Sequence, residues 1–294
     1  MRLNYISQIK SNLKKSATIS TRRPSSNILD GSYVSVFKGR SLNFDDLREY
    51  VPGDDVKDID WKATARSQQP LVREYIAEKK HNIMFVLDTN KRMLAHTKDL
   101  NDKKDVALYA AGTLAYLVSR NGDYISAVFS SEKGMRRFPF KTGLMNVENI
   151  LQTYDKDINR KNESSVVKAL EYIMRNIRRR MIIIIVTDME GKRAISEQLL
   201  KRLVTMHDVL FLNISDTDAF GDNIYDVESF KMLPDFFTKD KKLLKREMKR
   251  KEEIEKESAE KLKKTGIVTT TLDNTDDISI RLTELLARHK LEKR

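Results

Sequence analysis

Asp88 closes the apolar run "NIMFVLD", and Asp188 closes "MIIIIVTD". Short apolar runs that end in an acid read as buried parallel strands, and open α/β sheets bind ligands beyond the carboxyl ends of such strands. Two carboxylates gathered there can hold a divalent cation through oxygen ligands. Each can equally cap the helix that follows it, accepting backbone N–H groups that a first turn leaves unpaired. Spacing alone favours capping.

A second concentration of ionisable groups runs from Arg48 to Arg66, "REYVPGDDVKDIDWKATAR", and contains the single tryptophan, Trp61. Pro52 and Gly53 suit the central positions of a type II turn, because proline fixes φ at the first and glycine accepts positive φ at the second. Asp54, Asp55 and Asp58 stand at or just before a short helix, where carboxylates meet unpaired N–H groups. Ile59 and Trp61 supply apolar bulk, and Arg48 and Arg66 are available to pair with the aspartates. The stretch holds no histidine and no serine or cysteine set beside a base, so catalysis is poorly served. It reads as a structural clasp that pins an N-terminal arm, with room for a partner surface overlapping it.

The rest of the composition narrows the function classes. The chain has 294 residues, a formal charge of +12 and no cysteine, which excludes disulfides, thiolate nucleophiles and cysteine-ligated zinc. His81, His96, His207 and His289 are isolated and lack metal-ligand spacing. No P-loop sequence occurs. The longest apolar run, Met181 to Val186, is too short to span a bilayer. With no secretory leader pattern at the N-terminus, a cytoplasmic location is expected.

The positive charge favours acidic partners, a nucleic acid, an anionic membrane face or an acidic protein surface. It is scattered over the first thirty residues, "RNIRRR" (Arg175 to Arg180) and Lys239 to Lys264, not gathered in one stripe. Nucleic-acid binding is therefore not expected, and the arginine run reads as a complement to a helix C-terminus. Leu3, Ile6, Ile9 and Leu13 lie at helical spacing between lysines. Such a helix either docks on its own domain, the favoured reading, or makes peripheral membrane contact.

The elements that must position these residues alternate from about Ile83 onward. Strands "NIMFVLD", "YISAVFS", "MIIIIVTD", "DVLFLNI" and "GIVTTTL" are separated by helical patterns at 103–122, 146–154, 164–177, 196–206, a long charged stretch, and 277–290. Strands alternating with helices imply an α/β domain with a mainly parallel sheet. "KGMRRFPF" reads as an edge strand ended by Pro139. Residues 1–80 break the rhythm. "TRRPSSNILDGS" looks like a flexible link, "YVSVFKGRSLNF" like strand and turn, and "PLVREYIAEKK" like a strand along the edge of the sheet. The division expected is an N-terminal arm, 1–80, packed on a main domain, 81–294.

The acid-terminated first strand and the later strand ending in Thr187-Asp188 resemble a von Willebrand factor A-type domain. Together with "FKGRSLNFDDLREYVPGDD", Ile59-Asp60-Trp61 and Ala65-Arg66, the chain closely resembles the bacterial family called domain of unknown function 58, over about Gly31 to Leu286. The resemblance implies a Rossmann-like A-type fold, no enzymatic activity, and association with MoxR-type AAA+ ATPases. Arg48, Pro52, Gly53, Asp54, Asp55, Asp60, Trp61 and Arg66 make up its structural signature.

A-type domains often carry a metal-ion-dependent adhesion site with an Asp-x-Ser-x-Ser loop, a distant threonine and a later aspartate. Here Asp88 and Asp188 match the aspartates and Thr142 matches the threonine, while Asn90 and Arg92 replace the serines. Asparagine still offers magnesium a carbonyl oxygen, whereas arginine offers only donors. A metal-free site in which Arg92 bridges the carboxylates is favoured over a weak magnesium site. The contact surface expected at this end comprises Asp88, Asn90, Lys91, Arg92, Asp188 and Glu190. The function expected is a non-enzymatic interaction module acting with a MoxR-type ATPase, the alternative being a basic nucleic-acid or membrane-surface binder.

Overall fold

Ile, Val, Leu, Met and Phe side chains point alternately to the two faces of the central strands, so burying them requires helices on both sides. The computed structural model describes residues 4–15, 25–38, 46–74, 80–217, 225–226, 231–232 and 241–292. Its main sheet has six strands: β3 (Asn82–Leu87), β4 (Tyr124–Ser131), β5 (Gly134–Arg137), β6 (Ile182–Asp188), β7 (Asp208–Ile214) and β10 (Val268–Leu272), in the order β10-β7-β6-β3-β4-β5. Every neighbouring pair is parallel except the β4–β5 edge hairpin. The α/β fold with a mainly parallel sheet is thus present. Ile83, Phe85 and Leu87 of β3 enter one core, and Met84 and Val86 enter the other.

Helices α1 (Tyr5–Lys15), α2 (Ser25–Tyr33), α4 (Lys103–Arg120), α5 (Leu144–Asp157) and α10 (Ile278–Glu292) contribute to the first core. The second is covered by α6 (Val166–Asn176), α8 (Glu197–Met206) and the end of α9 (Lys241–Lys264). From β3 the chain moves toward β4, whereas from β6 it moves the other way toward β7 and β10. The switch point therefore falls between β3 and β6, where an open α/β sheet forms a crevice.

The first eighty residues differ from expectation in three places. Ser25–Tyr33 is a helix, not a link, because Leu29 and Tyr33 form a buried stripe within serine- and glycine-rich sequence. The Tyr33 hydroxyl donates to Asp123 Oδ2 at 2.6 Å, which anchors the helix. Val34–Lys38 continues as a π-helical turn, not a strand, with the Phe37 ring 5.0 Å from Tyr33 and 6.0 Å from His289. β2 (Leu71–Glu74) is a strand, but it pairs antiparallel with β1 (Asp46–Glu49) in a separate small sheet and does not extend the main one. Ile6, Ile9 and Leu13 are buried on α1, which packs against α4 and α5; Leu3 lies outside the described residues.

The signature residues form the lobe around β1 and β2. Asp54 N–H donates to Val51 O across the Pro52-Gly53 turn, and Gly53 holds φ at +116°, a region costly for other residues. Asp55 accepts from Lys57 N–H, and Asp60 caps α3 (Trp61–Ser67) by accepting from Lys62 and Ala63 N–H. Arg48 grips Asp54 with both terminal nitrogens, at 2.7 and 2.6 Å. Arg66 is exposed and makes no ion pair among the described residues. Trp61, placed in the sequence as apolar bulk for the clasp, is 66% exposed, and Val51 and Val56 are exposed beside it in sequence.

The Arg48 hydrogen bonds, aided by Val51 N–H, hold the Asp54 carboxyl down at about 2. A depressed acid stabilises the fold above its unfolded pKa and loses that contribution as pH falls through the folded value. In Arg48→Ala, the Asp54 carboxyl is expected to rise toward its ordinary value of about 3.9, held below it only by the Val51 N–H. Side-chain carbonyl NMR would read this, and a midpoint still at the wild-type position would contradict the assignment.

Candidate functional site

The parallel register of β3 and β6 pairs Leu87 with Val186 and sets Asp88 next to Thr187 and Asp188 at the switch point. Asp88 Oδ1 accepts from Asn90 N–H at 3.0 Å, and Oδ2 accepts the Thr187 hydroxyl at 2.5 Å. Asp188 caps α7 (Met189–Ala194), its Oδ1 accepting from Gly191 N–H at 2.8 Å. Capping, one of the two readings of this aspartate, therefore occurs. Gly191 must approach closely, since a Cβ there would lie 1.9 Å from Thr187 Oγ1 and 2.7 Å from Asp88 Oδ2.

Two cations reach the other side of the pair. Arg92 Nε donates to Asp188 Oδ2 at 3.2 Å, and its guanidinium stands 3.7 Å from Asp88 Oδ2. Lys103, at the start of α4 and 2% exposed, donates from Nζ to the same Asp188 oxygen at 3.2 Å and also pairs with Asp216. Asp216 in turn accepts Met189 N–H at 3.2 Å, and Lys251 of α9 donates to the Asp216 and Thr217 carbonyls. Asn90 fixes the loop, its Oδ1 accepting from Arg92 N–H and its Nδ2 donating to Ser164 O at 2.7 Å. The buried Tyr154 hydroxyl donates to Asp88 O at 2.9 Å.

Burial, then the nearby Asp188 charge, pushes the Asp88 carboxyl up to about 6. Burial works against the Asp188 carboxylate too, but Lys103 and Arg92 outweigh it and hold its pKa below the usual carboxylate range. Burial likewise opposes the Lys103 charge, and Asp188 and Asp216 overcome it, raising the lysine above its ordinary value.

The structure brings Asp88, Asn90, Arg92 and Asp188 together, and Lys103, Asp216, Thr187 and Ser164, which the sequence did not single out as site residues, join them. Thr142 is elsewhere. Lys141 bridges Ile125 near the start of β4, at the level of Ile83, about 16 Å down the sheet from Asp88 at the usual strand rise. The hydroxyl beside Asn90 is that of Ser164, which contacts Thr89 Oγ1 at 2.8 Å. Of the surface residues expected here, Asp88, Asn90 and Asp188 are buried, while Lys91 and Arg92 are half-buried and Glu190 is exposed. Lys91 pairs with Glu163 at 2.8 Å.

These donors do not fit a divalent cation. Every oxygen of the Asp88 and Asp188 carboxylates already accepts a hydrogen bond, and two fixed positive charges lie against Asp188. His81, His96 and His289 face Asp123, Asp102 and Asp208, and no hydroxyl is hydrogen-bonded to a histidine ring among the described residues.

Removing Lys103 leaves two acids short of a counterion in a buried setting. Lys103→Met is expected to cost about 3–5 kcal/mol, the range for breaking a buried pair, measured by urea unfolding at neutral pH. The deficit should shrink as pH falls, because protonating the released carboxylates removes the uncompensated charge. A pH-independent deficit, or none, would contradict this network.

The model for the family "Protein of unknown function DUF58" matches residues 46–220. Uncharacterized proteins of Mycobacterium bovis and Mycobacterium tuberculosis are 27% identical over 191 residues, which is 64% of this chain and 60% of each relative. The chain thus spans about 60% of the length of those relatives. Among solved structures, a von Willebrand factor type A protein from Catenulispora acidiphila overlaps 73% of this chain and 43% of its own, at 9% identity and a TM-score of 0.40. Proximal thread matrix protein 1 of the mussel byssus overlaps 72% and 47%, at 12% identity and a TM-score of 0.42. With well over half its length matched by the family model, the chain belongs to the DUF58 family.

Proposed function

We propose that the chain is a non-enzymatic protein-interaction module that works with a MoxR-type AAA+ ATPase in assembling or remodelling other proteins. One observation carries the non-enzymatic part: the strand-end carboxylates are consumed by internal donors and cations. The crevice therefore serves as a stiff platform instead of a reaction centre. Domains with von Willebrand A-type folds are commonly interaction modules, and the ATPase partner rests on the family resemblance.

The contact surface in this reading has two parts. Lys91, Arg92 and Glu190 lie over the switch point, backed by the buried network. Trp61 stands on a lobe braced by the Arg48–Asp54 pair, and an exposed tryptophan is the kind of side chain that anchors interfaces. The module itself requires no metal or cofactor in this reading, and magnesium enters only with the partner's nucleotide. The expected compartment is the cytoplasm, and no described helix is long and apolar enough to cross a membrane. The second reading, a nucleic-acid or anionic-membrane binder, draws on the +12 charge and requires affinity that falls steeply with salt.

A nuclease-treated pull-down from the native cells, with and without ATP and magnesium, separates the two. An AAA+ ATPase is expected among the retained proteins, its recovery changing with nucleotide and falling in Trp61→Ala or Glu190→Lys. Recovery only of nucleic-acid or lipid-associated material, lost as salt rises, would contradict the proposal.

A further inference from the structure

At the opposite end of the sheet, the amino ends of β3, β6 and β7 border a cleft of about 340 Å3. Lys80, Arg179 and Arg180 line it, and none of the three is in an ion pair among the described residues. Lys80 lies 5.7 Å from the centroid of the Tyr124 ring, which steadies the side chain without neutralising it. The one acid in the lining, Asp208, is engaged by His289 Nε2 at 3.2 Å. Among the described lining residues the cleft thus gathers three cations against one acid.

Two further observations point to a ligand. Asn82, only 8% exposed, lines the cleft, and its side-chain amide makes no hydrogen bond among the described residues. An amide lining a cleft offers donors and an acceptor to a molecule that enters it. Phe37 and His81 also line the cleft, their rings 6.5 Å apart. This apolar and aromatic flank beside the cations would accept the body of a small molecule, and the volume is that of a small-ligand site.

Complementing a helix C-terminus does not account for these arginines. The last turn of α6 already carries Arg175, the helix ends at Asn176, and Arg179 and Arg180 lie beyond its C-cap Ile177. A guanidinium pair with an ammonium and an amide suits an oxyanion that takes several hydrogen bonds at once.

We propose that this cleft binds the phosphate group of a small phosphorylated ligand, held by Lys80, Arg179, Arg180 and Asn82. The site is separate from the switch-point crevice and does not depend on the ATPase partnership. The same phosphate chemistry could come from a soluble metabolite or from a phospholipid headgroup, and the test distinguishes them.

Calorimetric titration of the full chain with pyrophosphate and with ATP, at about 0.15 M ionic strength to screen diffuse attraction, supplies the soluble arm. Sedimentation with phosphatidic acid vesicles supplies the lipid arm. Saturable 1:1 binding in solution assigns a soluble ligand, and binding to vesicles alone assigns a headgroup. In either arm, Arg179→Ala with Arg180→Ala is expected to weaken binding at least tenfold. Asn82→Asp should weaken it in the same direction, whereas Arg175→Ala, which removes one positive charge outside the cleft, should change it less than twofold. No saturable binding by any probe, or equal weakening by Arg175→Ala, would overturn the proposal.

Discussion

Asp188 is a carboxylate with 0% exposure, and the carboxyl end of the sheet is arranged around keeping it charged. An uncompensated buried charge costs several kcal/mol, so its counterions are obligatory. One comes from the loop after β3, Arg92, and one from Lys103 at the first residue of α4. A helix N-terminus disfavours a cation, so Lys103 sits against its own helix dipole. It is held there because Asp188 and Asp216 more than offset that placement. The network joins β3, β6, α4, α7 and the segment after β7, and through Lys251 it also reaches α9. Pinning so many elements to one pair of oxygens makes the crevice rigid.

The two ends of the sheet therefore follow opposite electrostatic rules. At the switch point, acids from neighbouring strands meet cations supplied by the chain itself, and their hydrogen-bonding capacity is used internally. At the amino ends, three cations converge while the one acid among the described lining residues contacts a histidine. The signature lobe adds a third arrangement. Its charges are spent on turns and caps, and its largest apolar side chain is left at the surface. Structure and display coincide in that lobe, because the capped helix fixes the backbone from which Trp61 projects.

The alternating part of the chain was legible because each buried strand is an apolar run bounded by polar turn residues. "DVLFLNI" matches β7 residue for residue. Asp88 and Asp188 were visible through the strand-end rule. The same rule reaches Asp216, two residues beyond β7, had it been applied to that strand. Lys103 left one trace, a pair of lysines opening a helix where acids are preferred, but its target lies in another element and no periodicity encodes that contact. Helix α2 was hidden because its buried stripe is only Leu29 and Tyr33 amid serine, asparagine and glycine. What fixes it is long-range, the Tyr33–Asp123 hydrogen bond and the Phe37 contacts. Thr142 was misplaced for a related reason: motif matching supplies a residue type, whereas the register of Lys141 on Ile125 sends it to the far end of the sheet.

The central claim is that Arg92 and Lys103, not a divalent cation, satisfy the switch-point carboxylates. It is tested most directly by titrating the wild-type protein with magnesium while following backbone NMR signals of residues 88–92 and 187–191. The account predicts that these signals do not move saturably at physiological magnesium concentrations. A saturable shift confined to those two segments would mean that a metal displaces the internal cations, and it would contradict the account.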